Sequence, residues 1–530
     1  MTKFTSDIAD PQPTEAIKSQ KVDMEELIRS AGRGTIWQLA GAVCETVIQM
    51  GASAVLARVL FPQDFGMLGM ALLFKGLIAR IGSLGTASGV IAKKDINQDD
   101  LSVAFWMGIT VNGFLFLVAF ICAPLAARYF HPSENLDPVQ FGTNLTLVIK
   151  VVAVTFLLGA MGGTSGTLLH KRLRFGTMKI IEVAGFALQS AVAIILAVVF
   201  DFNYWALVIA ILISSLAISI AKLICAQWLP DFRFSRESFH YLFRFGIHGL
   251  GTSMVQYFRS NIDYLLVGRF LGPVSLGLYE FAYRIPHMTL DRLAYPVSLV
   301  LFPTLSQVQK DDLRLARGYL RAVRIIAFIV FPMLAGLAVV AYHAVALLWG
   351  QRWLPIVFAL QLLCLRAAIS SVLISIDAIF LCKNRPDLPF KFGLLEFAVT
   401  FAVVGVLGYR FGLNGVALGM VIGVLPGLYM AHFALRMVHQ SIWQLAWALW
   451  PPLAATMGCA ALALGATMIT EALDLPHWGI LAAAVPAGFL AYLGVLFFGF
   501  PDQIKMIKET ISLVLRRSSA AQQIETPKIS

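Results

Sequence analysis

Charge is what this chain is short of. Only 13% of its 530 residues are Asp, Glu, Lys or Arg, against 58% that are apolar, and the mean hydropathy is +0.77. A soluble domain of this size needs far more polar surface, so a water-soluble globule is excluded and an integral membrane protein is indicated. Long polar loops are missing as well. The longest loop on the predicted outer side covers about 125–142, which leaves no room for an extramembrane catalytic domain. Cysteine is sparse: Cys44, Cys122, Cys225, Cys364, Cys382 and Cys459 all lie in or beside apolar runs. With no C-x-x-C and no His/Cys cluster, neither a disulfide framework nor a zinc site is indicated, and the six read as small packing residues. No G-x-x-x-x-G-K-[ST] run occurs, so the chain carries no phosphate-cradling ATPase loop. These absences point away from an enzyme, and no cofactor is expected.

What is present is a succession of apolar runs, most of them 20 residues or longer. Each is long enough to cross a hydrocarbon core of ~30 Å as a helix, whereas barrel strands would be half as long and would alternate. Fourteen spans are predicted, at 35–60, 66–92, 101–124, 143–168, 176–199, 204–226, 242–268, 277–302, 325–349, 354–381, 388–409, 413–436, 445–470 and 479–499. The first is too long for a signal-peptide core and reads as a signal anchor. With the N-terminus cytoplasmic, the inner loops receive Lys93, Lys94, the HKRLR run at 170–174, Arg233, Arg236, the LRLARGYLRAVR stretch at 313–324, Lys383, Arg385 and the basic tail. The outer loops receive little beyond Arg58, Arg128, Arg269, Arg352 and Arg410. That asymmetry predicts a multi-pass protein of the bacterial inner membrane with both termini cytoplasmic. Anionic inner-leaflet lipid then accounts for the net charge of +11 without nucleic acid.

One turn is written twice. ARVLFPQDFGML (57–68) overlies GRFLGPVSLGLY (268–279) at an offset of 211, matching Arg58 with Arg269, Leu60 with Leu271, Pro62 with Pro273 and Gly66 with Gly277. The same offset carries Asn203, Ala206 and Leu207 onto Asn414, Ala417 and Leu418. Six spans separate the copies, and an even number returns the chain to the same side. The halves are therefore read as parallel repeats about an axis along the membrane normal. The expected organisation is a cytoplasmic segment (1–34), an N-lobe of spans 1–6 (35–226), a linker (227–241), a C-lobe of spans 7–12 (242–436), two further helices (437–499) and a cytoplasmic tail (500–530).

Four segments carry a family likeness. LARVLFPQDFGMLGMALLF, KKDINQDDLSVAFW, RSNIDYLLVGRFLG and YPVSLVLFPTLSQVQKD resemble the Wzx-type polysaccharide flippases of the multidrug/oligosaccharidyl-lipid/polysaccharide superfamily, closest to its exopolysaccharide and lipopolysaccharide exporters. The resemblance runs from about Ile28 to Gly499. It implies an all-α polytopic fold, with two six-helix bundles in a V-shaped arrangement like that of the MATE and MurJ transporters. It also implies alternating access and a polyprenyl-diphosphate-linked oligosaccharide as cargo. A proton or Na⁺ is a candidate coupling ion, and a polymerase and chain-length proteins of the same pathway are candidate partners.

Ionised groups at mid-bilayer cost at least ~2.5 to 3.5 kcal/mol on insertion scales, so those retained should be paired or functional. The seventh span carries Gln256, Arg259, Ser260 and Asp263 on one helical face, and the first carries Gln38, Glu45 and Gln49. The second carries Lys75 and Arg80, and the eighth Glu280, Arg284, Asp291 and Arg292. Arg366 on the tenth has no obvious local partner. Lys75, Arg80, Arg259, Arg284, Arg292 and Arg366 are the candidate substrate-binding residues, because a surplus of fixed cations suits a lipid diphosphate. Glu45, Gln49, Gln256, Asp263, Glu280 and Asp291 are candidate coupling or cavity groups. Plainer readings stand beside these: Glu280 and Arg284 can neutralise each other at i, i+4, and Lys179 with Glu182 near the inner surface can do the same. Arg58 and Arg269 suit a helix C-terminus and can snorkel, as can Lys150 and Lys222 near helix ends. The alternative function is a MATE-like ion-coupled exporter of small organic molecules, which would want surplus carboxylates instead. A polysaccharide polymerase or glycosyltransferase would need the outer loop that is lacking, and a structural scaffold would not retain so many buried charges.

Overall fold

The computed structural model describes residues 37–38, 40–81, 90, 93, 97–132, 137–232, 235–236, 238–240 and 250–501. The N-terminal segment, Lys94, Arg233, the start of the predicted seventh span and the basic tail lie outside them. Every regular element among the described residues is helical. The order is α1 (Ala40–Val59), α2 (Pro62–Ile81), α3 (Gln98–Tyr129), α4 (Pro138–Lys171), α5 (Phe175–Val198), α6 (Asn203–Ala226) and α7 (Leu250–Phe270). A compound α8 follows, built of Gly272–Thr289, a π-turn at Leu290–Ala294 and Tyr295–Ser306. Next come α9 (Asp312–Leu348) and α10 (Gln351–Cys382). The continuous stretch Asp387–Arg436 supplies α11 and α12, divided at Gly412, and α13 (Ile442–Ala472) and α14 (His477–Gly499) are the last helices among the described residues. These are the fourteen predicted spans.

Local chemistry sets the breaks. Gly412 takes φ 59°, ψ −140°, a conformation open to a residue without Cβ, and this separates α11 from α12. The π-turn in α8 precedes Pro296, whose ring would collide with the carbonyl one helical turn back; widening the turn relieves the clash. Asp311 caps α9 by accepting from the Arg314 amide at 3.0 Å, and Ser441 with Gln444 forms a capping box on α13.

Two expectations are corrected. The basic LRLARGYLRAVR stretch is not a loop but the opening turns of α9. Leu315, Tyr319 and Val323 recur at i, i+4, i+8 and are buried, while Arg314, Arg317 and Arg321 face outward. An amphipathic stripe extends the helix beyond its uniformly apolar part. Lys150 is not near a helix end: α4 begins at Pro138, so Lys150 lies well inside, over the Phe120 ring at 4.5 Å.

The chain forms two compact units. Unit 1 comprises Met1–Leu56, Phe74–Ala123 and Thr146–Val255. Its α3, α4 and α5 bury Leu101, Met107, Leu169 and Met178 against Trp228, and Ile78, Leu115, Ala119, Ala153 and Phe156 form a second cluster on α2, α3 and α4. Small residues permit close approach without a hydrophobic driving force: Gly162 sits against Ser219, whose hydroxyl donates to the Leu158 carbonyl at 2.7 Å. Unit 2 comprises Ala57–Leu73, Pro124–Leu145 and Gln256–Ser530. Its main core joins α8 to α13 around Leu305, Tyr319, Ile379, Phe380 and Leu435. The last two helices pack on α9 through Phe328, Ala455, Cys459, Tyr492 and Leu496, with the Tyr492 hydroxyl donating to the Phe328 carbonyl at 2.5 Å.

Candidate functional site

In unit 1, α1 and α5 place Glu45 opposite Lys179. The Lys179 ammonium lies 2.7 Å from Glu45 and 3.4 Å from Glu182, and its side chain is 8% exposed. The predicted Lys179–Glu182 pair is present, but the shorter contact crosses to the first helix. Gly41 makes room for it, since a Cβ there would strike the Lys179 methylenes. Gln49, one turn beyond Glu45, is half-buried, and Arg80 at the end of α2 is exposed. Lys75 stands 5.9 Å from the centre of the Phe156 ring, and Lys150 stands over Phe120. Among the described residues neither lysine has a carboxylate partner. Among the described residues away from the ends of α1, α2, α4 and α5, Lys75, Lys150 and Lys179 outnumber Glu45 and Glu182.

Unit 2 is built differently. On α7 the predicted polar face divides: Gln256, Arg259 and Ser260 are exposed, with Gln256 donating to Ser260 at 3.3 Å, whereas Asp263 is 1% exposed. Asp263 is covered by α8, whose buried Tyr279 donates to its carboxylate at 2.7 Å. Arg366 on α10 lies in electrostatic contact with Asp263 and donates to the Tyr283 hydroxyl at 3.3 Å. Tyr279, Tyr283, His287 and Asp291 follow at i, i+4 intervals along α8. Tyr283 stacks on His287 with ring centres 4.9 Å apart, and His287 meets Asp291 at 2.9 Å. Glu280 and Arg284 bond at 2.5 Å, as mutual neutralisation requires. Arg259 reaches α11 to bond Glu396 at 2.7 Å, and Asp377 lies in the field of both. Arg292, in the π-turn, is exposed. Among the described residues of this cluster on α7, α8, α10 and α11, Arg259, Arg284, Arg292 and Arg366 are outnumbered by Asp263, Glu280, Asp291, Asp377 and Glu396. The cation surplus expected of α2 and α8 together therefore rests on Lys75 and Arg80 of α2, because α8 carries Arg284 and Arg292 against Glu280 and Asp291.

A nearly all-apolar cavity of about 440 Å³ lies among α9, α10, α12 and α13, lined by Phe331, Cys364, Ile369, Leu428, Leu445 and Leu453 among others.

A family profile described as "Polysaccharide biosynthesis protein" matches residues 55–358, more than half of the chain. The chain belongs to this polysaccharide biosynthesis family. Among its relatives, the teichuronic acid biosynthesis protein TuaB of Bacillus subtilis (strain 168) is 24% identical over 489 residues, covering 90% of this chain and 98% of TuaB. The lipopolysaccharide biosynthesis protein WzxC of Escherichia coli (strain K12) is 24% identical over 408 residues, covering 76% and 80%. The solved structure of the lipid II flippase MurJ in an inward closed conformation superposes with a TM-score of 0.70 at 13% identity, covering 89% of this chain and 99% of that one. The helical order of this family member is therefore that of the MurJ fold.

The predicted site residues are shared between the two units. Glu45, Gln49, Lys75 and Arg80 belong to unit 1; Gln256, Arg259, Asp263, Glu280, Arg284, Asp291, Arg292 and Arg366 belong to unit 2. Sequence reasoning gave Lys179 and Lys150 only the plainer readings of pairing and snorkelling, and it missed Glu396, Asp377 and the tyrosines Tyr264, Tyr279 and Tyr283. Glu396 was findable, because a lone carboxylate within a long apolar run obeys the same insertion argument as Arg366. The tyrosines had a weaker signal in their i, i+4 spacing next to Glu280 and Arg284.

Proposed function

We propose that this polytopic membrane protein is a flippase that moves a lipid-diphosphate-linked oligosaccharide repeat unit across the inner membrane, by alternating access, for exopolysaccharide or lipopolysaccharide assembly. The observation that carries the reading is that a member of a polysaccharide biosynthesis family keeps uncompensated cations, Lys75 and Lys150, inside apolar helices. A diphosphate near such a group gains up to ~4 kcal/mol per close pair at an effective dielectric near 20. Supporting it, TuaB and WzxC are named for surface-polymer biosynthesis and MurJ for flipping lipid II. In this proposal Lys75 and Arg80 meet the diphosphate. The two repeats act as N- and C-lobes, with both termini cytoplasmic.

Coupling has a concrete form in the same proposal. Glu45 is tied to Lys179, and Asp263 to Tyr279 and Arg366. A proton arriving at either carboxylate, or a Na⁺ displacing the cation, would break the tie and free the helices it joins.

The test is transbilayer movement of a fluorescent polyprenyl-diphosphate oligosaccharide in proteoliposomes. Movement is expected with the native chain and should fall at least tenfold in a Lys75→Ala, Lys150→Ala double variant of normal abundance. Absence of movement with the native chain sinks the function. Normal movement by the variant sinks the site. Insensitivity to collapse of both proton and sodium gradients removes the coupling.

A further inference from the structure

The two copies of the repeated turn meet each other. Gly66 lies so close to Pro273 that a Cβ would overlap the Pro273 carbonyl, and Gly277 stands in the same relation to the Pro62 carbonyl. The offset that maps Gly66 onto Gly277 also maps Pro62 onto Pro273, so the contact is reciprocal, as a two-fold relation requires. Side chains extend the pattern. Arg58, at the end of α1, donates to the Leu347 carbonyl at 2.7 Å, in the last turn of α9. Its mate Arg269, at the end of α7, donates to the Tyr129 carbonyl at 2.5 Å, at the last residue of α3, and lies 5.4 Å from the centre of the Tyr129 ring. α3 and α9 are the third helices of their repeats. Each arginine therefore caps the third helix of the opposite repeat, where free carbonyls and the helix dipole favour a cation. An aromatic plug lies beside them: Phe65 packs edge-on against Phe281 at 4.9 Å, Phe281 lies 4.0 Å from Trp353, and Trp353 donates to the Ala57 carbonyl at 2.9 Å. All of these residues belong to unit 2.

We infer that Arg58 and Arg269 are the two arms of a reciprocal latch that holds this end of the transporter shut, so that opening it withdraws both arginines and separates the paired glycine–proline contacts. Snorkelling alone does not account for the geometry, because each guanidinium is spent on a carbonyl of the other repeat. The two-fold pattern gives the latch its cooperativity: releasing one arm leaves the turns held by the other. The glycines set its closeness, since any side chain at 66 or 277 would wedge the turns apart. The inference concerns the conformational equilibrium and stands whatever the cargo is.

The experiment reads opening directly. Leu60, 2% exposed at the end of α1, is replaced by Cys in a cysteine-free background reconstituted in lipid nanodiscs. Its reaction rate with a membrane-impermeant maleimide is then measured. Exposed Phe61→Cys serves as the control whose rate should not change. Arg58→Ala and Arg269→Ala should each raise Leu60→Cys labelling two- to threefold, and the double variant at least tenfold. Arg58→Lys and Arg269→Lys, which keep a charge for the same carbonyls, should stay within twofold of the native rate. Gly66→Ala, made separately, should raise labelling with both arginines present. Unchanged labelling in a monodisperse Arg58→Ala, Arg269→Ala variant would overturn the latch, as would a Lys pair labelling as fast as the Ala pair. Because no substrate enters the assay, its failure is distinct from failure of the flippase reading.

Discussion

Tyr279→Phe asks whether the buried Asp263 carboxylate is held by its neighbours. The change deletes one hydroxyl from a fully buried side chain and leaves the rings of Tyr264 and Tyr283, 5.2 and 5.8 Å away, in place. What is lost is the 2.7 Å bond into Asp263. A hydrogen bond to a charged group contributes ~1.5 to 3 kcal/mol net, and a carboxylate 1% exposed has little water to replace it. Asp263→Asn removes the charge instead, and leaves Arg366 facing a neutral amide. Breaking a fully buried pair costs ~3 to 5 kcal/mol; Arg366 is only partly buried, which puts the expected loss near ~3. With Asn already at 263, Tyr279→Phe then removes only a neutral bond worth ~0.5 to 1.5 kcal/mol. The cycle should therefore show a coupling of ~1 to 2 kcal/mol. Unfolding titrations in mixed detergent and SDS micelles, compared at one fixed SDS fraction, give the four free energies. If the two losses add to within ~0.5 kcal/mol, the hydroxyl does not hold the carboxylate, and the role given to Asp263 falls with it.

Charge reversal separates pairing from cargo contact elsewhere. Exchanging Glu280 with Arg284 should restore abundance to within twofold of native, because their 2.5 Å bond is local to one helix; a swap as scarce as Arg284→Ala would show that Arg284 is needed elsewhere. Arg259→Glu with Glu396→Arg should likewise retain abundance, since a pair 38% and 26% exposed contributes only ~1 kcal/mol or less, and immunoblots of membranes report it. Lys179→Met should be far scarcer than Glu182→Gln, because it strands Glu45 while Glu182, 41% exposed, keeps water. Reporter fusions after Leu60, Phe130, Phe202 and Gly350 should all report the outer side. A cytoplasmic signal from any two would break the parallel-repeat register.

Span number and order were legible in the sequence because bilayer thickness imposes one length on every crossing, and Gly, Pro and charge clusters mark the gaps. Helix ends were not, since a helix continues past the hydrocarbon wherever an amphipathic stripe such as Leu315, Tyr319 and Val323 finds a core. An early helix start likewise misplaced Lys150, which is near a helix end only if α4 begins later than Pro138. Intramembrane charges were identified as types, but their partners were hidden by distance along the chain: Glu45 meets Lys179 and Arg259 meets Glu396 across more than a hundred residues. A count taken over α2 and α8 gave a positive surplus, but all of it comes from Lys75 and Arg80 on α2, because α8 carries two arginines against two carboxylates. The repeat was the exception, because an internal offset is long-range information written in one chain. Matching Arg58 to Arg269 and Gly66 to Gly277 already specified equivalent positions, yet it could not say that equivalents touch. Two parallel repeats can place their turns far from the axis or upon it. Only the close approach of Gly66 to Pro273 and of Gly277 to Pro62 shows that the equivalents touch, and at that place two arginines that read as snorkelling cations bond carbonyls in the last turns of α9 and α3.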